Sequence, residues 1–555
     1  MSAPAKPGQD GGVALVDVLG EFLNAPPARP AGPQRSWHAL IRAAEVCLRG
    51  IGQVVFMNHP LCGALVLAGM AVQSWWLALF TLIGVAAGTA WARWTIDDQP
   101  SVEAGIYGYN GALVGAAAAT FGQIDSLGSA LAWGASTALF AAASSALLHR
   151  MGSWLVKRGM PSLTIPFCLS TLACFALVAA LGLPGLALAP AATESAQNAA
   201  VGLAALLEGA VPVGFGQIFF VGHILGGALV LAGVLVASPL GAAIGLLGGL
   251  AGLAAGALVG APDSHLAAGL ASYNGILCAL ALGGVFFAWS VRSMCIGAAA
   301  AFVSTLVALL LAAMLAPLGL PGLTLSFCLV TVGVIFFVQH RLPLLVPVAM
   351  HAIHSPQEHR RRYRVAVDLL KDFRANLQAS LEPGAARRLA LKGRADVAVL
   401  RELEGLFSRL DRDGDGRLSL VDLASGLREF QQSDKTGTDW SDAVATAERR
   451  LDLLESTERL LLSANPQADG QIGVDEFSEV MLRCRRLLRD RDRLLTYLQP
   501  ISSDPMRAIS RSDLDRLLVS LGQVSLNDQE WQAMGRLSGG RALSWGELVD
   551  LMLIT

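Results

Sequence analysis

Apolar runs follow one another with little interruption from about residue 36 to residue 350. The clearest runs are 61–92, 104–122, 128–148, 164–190, 215–260, 265–289, 294–316 and 323–340. A membrane-spanning helix needs about 20 apolar residues, so about ten crossings fit into this part of the chain. Pieces such as 61–72 are too short to cross, and half-helices are tolerated where protein or a water-filled cavity covers their ends. The pattern predicts an all-α polytopic membrane domain that contains re-entrant half-helices.

The charged residues divide the chain into a membrane part and a soluble part. Only 11 of the 41 Lys and Arg residues lie between residues 1 and 341, and the other 30 lie in the last 214 residues. The net charge of −2 provides no basic field for nucleic acid, which is not expected as a partner. The predicted domains are a flexible N-terminal tail at 1–35, a membrane domain at 36–345, a charged helical linker at 346–399 and a soluble helical domain at 400–555.

The few basic residues of the membrane part predict its orientation. Arg93, the group from His149 to Arg158, Arg292 and Arg341 lie in alternate connections, and the connections between them carry no Lys or Arg. Because cytoplasmic connections are enriched in these residues, both chain termini and the soluble domain are expected in the cytoplasm. A basic cluster at 359–364 follows the last apolar run, where it would anchor the chain or contact anionic membrane lipid.

The membrane part also repeats itself, because three motifs recur in the same order. GQVVF at 52–56 returns as GQIFF at 216–220, YNG at 109–111 returns at 273–275, and LTIPFCL at 163–169 returns as LTLSFCL at 323–329. The first two offsets are 164 residues and the third is 160. The membrane part therefore contains two repeats, at about 36–190 and 196–345.

Two repeats of five crossings each, an odd number, would lie in the membrane with opposite orientations. Transport folds of this kind place the solute path at the repeat interface. The repeated polar side chains are uncharged Gln, Asn and Thr, whereas ion paths and proton relays are usually marked by charged residues. Amide and hydroxyl oxygens accept hydrogen bonds from N–H groups. We therefore predict a path for a small neutral solute, with Phe and Tyr rings as flat walls for a planar molecule.

These repeated motifs resemble the urea transporter family over about residues 36–345. The resemblance rests on GQVVFMNHPLCG at 52–63, GIYGYNGALVG at 105–115 and LTIPF at 163–167, with their copies in the second repeat. It implies two inverted halves of five helices, each with a re-entrant segment. It also implies a homotrimer with one continuous pore in every subunit, and passive, channel-type transport of urea.

The resemblance also implies which residues form the pore. The oxygen ladder would have Thr164 and Thr324 at its centre and Gln53 and Gln217 at its two ends. The walls would be formed by Phe56, Tyr109 and Leu113 in the first repeat, and by Tyr273 and Leu277 with either Phe220 or Ile218 in the second. The second repeat departs from the family pattern at Ser326, where proline is usual.

The soluble domain contains a twelve-residue motif at 411–422 that fits an EF-hand loop. The ligands would be Asp411, Asp413, Asp415, the backbone carbonyl of Arg417, Ser419 and Asp422. Gly416 occupies the sixth position, where the loop turns sharply. The last position carries Asp in place of the usual Glu. This shorter acid would weaken Ca²⁺ binding or favour the smaller Mg²⁺.

A second loop of the same type runs from residue 465 to 476. Its ligands would be Asn465, Gln467, Asp469, the backbone carbonyl of Gln471 and Glu476. Two further segments, around Ile509 and Leu543, are interpreted as hands without ligands, ending at Asp513 and Glu547. Because EF-hands usually pair, a module of four hands is predicted.

Three functions are compatible with the sequence. The first is a passive urea channel that Ca²⁺ regulates through the soluble module. The second is a channel for another small neutral solute, such as a short amide or ammonia. The third is a calcium-responsive scaffold that uses the membrane part as an anchor. An enzyme is not expected, because the chain contains no GxSxG motif and no phosphate-binding loop. The eight cysteines form no CxxC pair, and they are predicted to be reduced packing residues.

Overall fold

The computed structural model describes residues 35–341 except 157, 183–184, 190–202 and 288. Beyond residue 341 it describes 355–357, 360, 368, 371, 373–375, 378, 397–411, 414–419, 471–479, 481–482, 508–520, 524–537, 544, 546 and 548–549. The chain forms two compact units, Met1–Arg360 and Arg361–Thr555.

Within its described residues, the first unit consists of two series of seven helices. The first series is α1 (Arg35–Gln53), α2 (Pro60–Gln73), α3 (Trp75–Thr95), α4 (Gln99–Glu103), α5 (Tyr109–Phe121), α6 (Leu127–Val156) and α7 (Ile165–Leu181). The second series is α8 (Leu203–Gln217), α9 (Ile224–Ala237), α10 (Pro239–Leu258), α11 (Asp263–Ala267), α12 (Tyr273–Leu280), α13 (Val291–Leu315) and α14 (Leu325–Arg341). A π-helical turn, Ala281–Val285, extends α12, and a 3₁₀ turn, Ala316–Leu318, extends α13.

Helix lengths recur between the two series. Both α2 and α9 have 14 residues, both α4 and α11 have five, and both α7 and α14 have 17. The local start signals explain several of these helices. Pro60 opens α2, where proline's missing N–H is not needed. The Ser238 hydroxyl accepts a hydrogen bond from the Gly241 N–H at 2.9 Å and caps α10.

Four helices in the described part are long and apolar enough to cross a membrane. They span Trp75–Thr95, Leu127–Leu155, Pro239–Leu258 and Val291–Leu318. Five shorter apolar helices accompany them, among them α2, which covers the run at 61–72 that is too short to cross. Helix α3 carries exposed tryptophans at both ends, with Trp75 59% and Trp94 85% exposed. Tryptophan is enriched where a helix meets the membrane–water interface, so this pattern is typical of a spanning helix.

Glycines allow the helices of the first unit to approach closely. A Cβ added to Gly69 on α2 would lie 2.6 Å from the carbonyl oxygen of Gly226 on α9. A Cβ added to Gly226 would lie 2.8 Å from the carbonyl oxygen of Gly69. The two halves therefore meet reciprocally along their short helices. Small residues of this kind are the usual contact residues between membrane helices.

Gly115→Ala should destabilise the first unit markedly. A Cβ at this position of α5 would lie 2.0 Å from the Phe80 carbonyl oxygen on α3, so the two backbones would have to separate. Gly333→Ala on α14 is the matched control, because nothing lies within 4 Å of its added Cβ. There alanine should stabilise the helix by about 0.5–1 kcal/mol. Thermal unfolding in detergent measures both, and equal melting temperatures for the two variants would contradict the packing argument.

The second unit contains helices and one short two-stranded sheet in its described residues. Helix α15 (Val397–Leu410) precedes strand β1 (Arg417–Ser419), which pairs antiparallel with β2 (Gln471–Gly473). Leu418 lies opposite Ile472, and both side chains are buried in a small core with Phe407 and Phe477. Two further helices follow, α16 (Arg511–Ser520) and α17 (Asp528–Leu537). An isolated bridge pairs Ala508 with Ser544.

A buried ion pair joins distant parts of the second unit. The fully buried Glu530 accepts hydrogen bonds from Arg374 Nε and Nη2, both at 3.1 Å, and from Gln378 Nε2 at 2.6 Å. Burial raises the pKa of the Glu530 carboxyl. The hydrogen bonds from Arg374, the Asn527 N–H and Gln378 outweigh burial and bring this pKa below its ordinary value. Arg374 and Gln378, predicted as part of the linker, therefore pack against Glu530 of α17.

Several predicted segments lie outside the described residues. These are the N-terminal tail before Arg35, much of the linker, and the connection at 190–200. Among the predicted metal ligands, Asp413, Asp422, Asn465, Gln467 and Asp469 also lie outside them.

Candidate functional site

The two halves of the first unit meet at a pair of threonines. Thr164 and Thr324 stand immediately before α7 and α14, and both side chains are buried. Their Oγ1 atoms lie 2.7 Å apart, within hydrogen-bond distance. The two central residues of the predicted ladder are thus in direct contact. Each hydroxyl can both donate and accept a hydrogen bond, so the pair offers polar atoms inside the unit.

The backbone just before each threonine is held in an unusual conformation. Leu163 has φ 49° and Leu323 has φ 48°, in the left-handed region that residues other than glycine rarely adopt. The Tyr109 hydroxyl donates to the Leu163 carbonyl at 2.5 Å, and the Tyr273 hydroxyl donates to the Leu323 carbonyl at 2.7 Å. The two tyrosine hydroxyls therefore hold the backbone immediately before each threonine in place.

Gln53 and Gln217, the predicted ends of the oxygen ladder, make equivalent hydrogen bonds. Gln53 Nε2 donates to the Ala104 carbonyl at 3.0 Å, and Gln217 Nε2 donates to the Ala268 carbonyl at 2.9 Å. Both side chains are partly exposed. Because the amide nitrogen is engaged, each glutamine is oriented by its N–H group. The Oε1 atom of each side chain can only accept hydrogen bonds.

Two reciprocal aromatic pairs join the halves. Phe56 packs against Phe286 with ring centroids 5.8 Å apart at 85°, and Phe220 packs against Phe121 at 5.7 Å and 86°. Phe56 and Phe220 also share a left-handed backbone, with φ 63° and 61°. In both pairs the rings meet edge to face.

Phe121 and Phe286 were missed by the sequence analysis for a definite reason. Phe121 follows Tyr109 by 12 residues, whereas Phe286 follows Tyr273 by 13. The π-helical turn Ala281–Val285 absorbs the extra residue, and the Phe286 N–H bonds to the Ala281 carbonyl. A comparison at constant offset therefore does not align the two phenylalanines, although an alignment that allowed one inserted residue would.

The remaining predicted wall residues are enclosed by protein. Leu113 and Leu277 are buried on α5 and α12, and Ile218 is also buried. Of the two alternatives for the second wall, Phe220 is the partly exposed one and shares the conformation of Phe56. Asn110 of the YNG motif accepts a hydrogen bond from the Phe167 N–H at 3.1 Å. It thus caps the first turn of α7.

In the first predicted loop, the structure describes Asp411 and residues 414–419, which are joined by local hydrogen bonds. Asp411 Oδ1 accepts a hydrogen bond from the Gly414 N–H at 2.9 Å, and its Oδ2 accepts one from the Gly416 N–H at 3.0 Å. Gly414 and Gly416 have φ 72° and 76°. Asp415 Oδ1 accepts from the Arg417 N–H at 2.8 Å. Within the described residues no group of three potential metal-binding side chains is assembled.

Part of the second predicted loop is also described. Glu476 Oε2 accepts a hydrogen bond from the Gly473 N–H at 2.9 Å, which turns the carboxylate back towards its own loop. Gln471 begins β2 opposite Ser419 at the end of β1. The two predicted loops therefore lie side by side through their strands, with Arg417 opposite Gly473.

The first unit combines apolar helices, a duplicated set of contacts and an uncharged polar cluster where its halves meet. These features are typical of a membrane transport protein for small neutral solutes. The urea transporter family model matches residues 44–339. The urea transporter 1 of Ovis aries is 30% identical over 328 residues, which cover 57% of this chain and 82% of the relative. That of Rattus norvegicus is 32% identical over 296 residues, covering 51% and 74%.

The chain belongs to the urea transporter family. It is accordingly an integral membrane transport protein and not an enzyme. The match ends before the second unit, which begins at Arg361.

Tyr109→Phe and Tyr273→Phe separate the role of the tyrosine hydroxyl from the role of the ring as a predicted pore wall. Each change keeps the ring but removes the hydroxyl that holds the Leu163 or Leu323 carbonyl. Leaving a buried carbonyl without its donor costs about 1–3 kcal/mol. We expect the melting temperature to fall and the solute flux to fall several-fold. Thr120→Val is a control, because its hydroxyl bonds only within α5, to Ala116 at 2.8 Å. Unchanged flux in both tyrosine variants would contradict a role of these hydroxyls in positioning the threonines.

Proposed function

We propose that the first unit conducts urea passively along a route past the Thr164–Thr324 pair. The single observation that carries this proposal is the 2.7 Å contact between the two hydroxyls at the meeting point of the two halves. Urea has four N–H donors and one carbonyl acceptor. A route whose polar atoms are hydroxyls and amide oxygens can therefore replace its hydration without any charged group.

The reciprocal contacts support an inverted arrangement of the two repeats. Gly69 meets Gly226 and Phe56 meets Phe286, while the equivalent contacts run in the opposite sense between Gly233 and Cys62 and between Phe220 and Phe121. Such exchange is what a two-fold axis between the halves produces. With that axis in the membrane plane, the ladder crosses the membrane with Gln53 and Gln217 at opposite ends.

The proposed arrangement in the cell rests on the basic connections and on the family resemblance. Both termini and the second unit lie in the cytoplasm, on the side of the basic connections. The subunits form a homotrimer, each with its own pore, and the basic cluster at 359–364 contacts membrane lipid. Cross-linking in native membranes and protease access from either side test these points.

Stopped-flow urea flux in proteoliposomes tests the transport proposal. We expect flux that is driven only by the urea gradient, saturates weakly and does not depend on a proton or sodium gradient. Acetamide and ammonia, measured under the same conditions, distinguish urea from the other neutral solutes. Absence of urea flux with intact acetamide or ammonia flux would replace urea as the substrate. Absence of all three would leave the scaffold function.

The second unit is proposed to be an EF-hand module that binds Ca²⁺ or Mg²⁺. Asp411 and Asp415 orient the first loop around two left-handed glycines, and the strands of the two loops pair through Leu418 and Ile472. When two EF-hand loops pair side by side, short antiparallel strands between them are expected. The Ala508–Ser544 bridge supports a second pair of hands without ligands. Full occupation of the loops would also use Asp413, Ser419, Asp422, Asn465, Gln467 and Asp469.

Calcium regulation of the pore is proposed because both units belong to one chain. An ion can shift the pore only if it binds more tightly to one pore state than to the other. We expect urea flux to change when Ca²⁺ is supplied on the side of the second unit. A chain lacking residues 400–555 should conduct urea without responding to Ca²⁺. If the complete chain ignores Ca²⁺, the module is a tether rather than a regulator.

A further inference from the structure

Two buried thiols stand beside the threonine pair. Cys168 and Cys328 lie one helical turn after Thr164 and Thr324, since each cysteine N–H bonds to its own threonine carbonyl at 3.0 and 3.1 Å. Each thiol contacts the hydroxyl of the other half. Cys328 Sγ is 3.2 Å from Thr164 Oγ1, and Cys168 Sγ is 3.3 Å from Thr324 Oγ1.

We propose that Cys168 and Cys328 form a site for one soft monovalent metal ion, such as Cu⁺ or Ag⁺, which bridges the two halves and blocks the route. Sulfur ligands select soft ions of this kind over Na⁺, K⁺, Mg²⁺ and Ca²⁺. The proposal rests on the proposed urea route, because the ion reaches these buried thiols through it.

The charge balance of the binding step suits this location. One thiol loses its proton as its S–H bond breaks and an S–Ag bond forms, and the proton leaves to water. The second thiol coordinates through a sulfur lone pair and keeps its proton. Silver stays Ag⁺ and nothing is oxidised or reduced. One positive charge enters and one leaves, so the interior does not acquire the net charge that is costly within a membrane.

Other cysteines of the first unit have different surroundings. Cys174 Sγ is 3.2 Å from Ser136 Oγ, within the first half. Cys278 Sγ is 3.5 Å from Thr331 Oγ1, within the second half. Neither thiol contacts the threonine pair by these bonds. Cys174→Ser is therefore a matched control for a buried thiol on the same helix as Cys168.

The test compares Ag⁺ block of urea flux in the complete chain and its variants, in nitrate buffer because chloride precipitates silver. Block is the ratio of flux with and without Ag⁺ in the same variant, so changes in basal flux cancel. We expect Ag⁺ to lower flux at least about tenfold, the effect of 1.4 kcal/mol, and a thiol reagent to restore it. Cys168→Ser with Cys328→Ser should abolish the block, each single change should weaken it, and Cys174→Ser should retain it.

A second readout does not depend on transport. Native mass spectrometry of the purified chain should show one Ag⁺ fewer on the double variant than on the wild type. If the double variant is blocked like the wild type, or if wild-type flux ignores Ag⁺, the proposal is overturned while urea transport stands. If the wild type carries no urea but the double variant still binds one Ag⁺ fewer, the metal site stands and the transport proposal fails.

Discussion

Replacing both Thr164 and Thr324 by valine should lower urea flux by about ten- to a hundredfold, because each hydroxyl contributes about 0.5–1.5 kcal/mol of hydrogen bonding to a passing solute. Valine has nearly the shape of threonine, so each helix start should be preserved. The exchange also acts on the space at the centre. The oxygens approach to 2.7 Å, whereas two methyl carbons prefer about 3.5–4.0 Å. Both effects raise the barrier at the same point of the route.

Serine at both positions is the matched control for this change. It keeps the hydroxyl and removes only the methyl group, so flux should stay within a few-fold of the wild type. Each single valine change should give an intermediate flux, because one hydroxyl remains to accept a hydrogen bond. Stopped-flow measurement in proteoliposomes, corrected for the amount of protein inserted, separates these cases. A double serine variant as slow as the double valine variant would show that shape, not the hydroxyl, matters.

The helical class and the transporter family could be predicted from the sequence because the repeat preserves residues at a nearly constant offset. Thr164 and Thr324 stand out in this way, and the structure brings them into contact. A comparison at constant offset cannot align residues that lie beyond an insertion. It fails for Phe121 and Phe286, where a π-helical turn adds one residue to the second copy. It also says nothing about ring angles, which depend on packing between the halves.

Long-range pairs were equally hidden from the sequence. The Arg374–Glu530 ion pair joins residues 156 positions apart, and neither residue belongs to a repeated motif. Glu530 could be predicted only as the acid of a helix-capping pair with Asn527, whose Oδ1 accepts from the Glu530 N–H at 2.8 Å. The partner from the linker becomes apparent only when the chain is folded. The cysteines beside the threonine pair were likewise interpreted as packing residues, because a thiol's neighbours in space cannot be predicted from its spacing.

Asp411→Ala should reduce the Ca²⁺ affinity of the first loop by more than about 100-fold. Changes to residues that only hydrogen-bond to a metal ligand typically cost about 10–100-fold in affinity, and Asp411 would itself be a ligand. Its carboxylate also accepts hydrogen bonds from Gly414 and Gly416, so the change disorders the loop as well as removing a charge. Calorimetric titration of the complete purified chain measures the affinity. Asp513→Ala is the control, since that segment is predicted to bind no ion.

The same change should weaken the second loop, which it does not touch. Leu418 and Ile472 face each other across the paired strands, so order in one loop supports order in the other. Asp411→Ala should therefore lower the affinity of both sites, whereas Glu476→Gln should act most strongly on its own site and less on the first, which has more carboxylates. Independent affinities for the two sites would contradict the pairing, and unchanged affinity in Asp411→Ala would rule out the first loop as a calcium site.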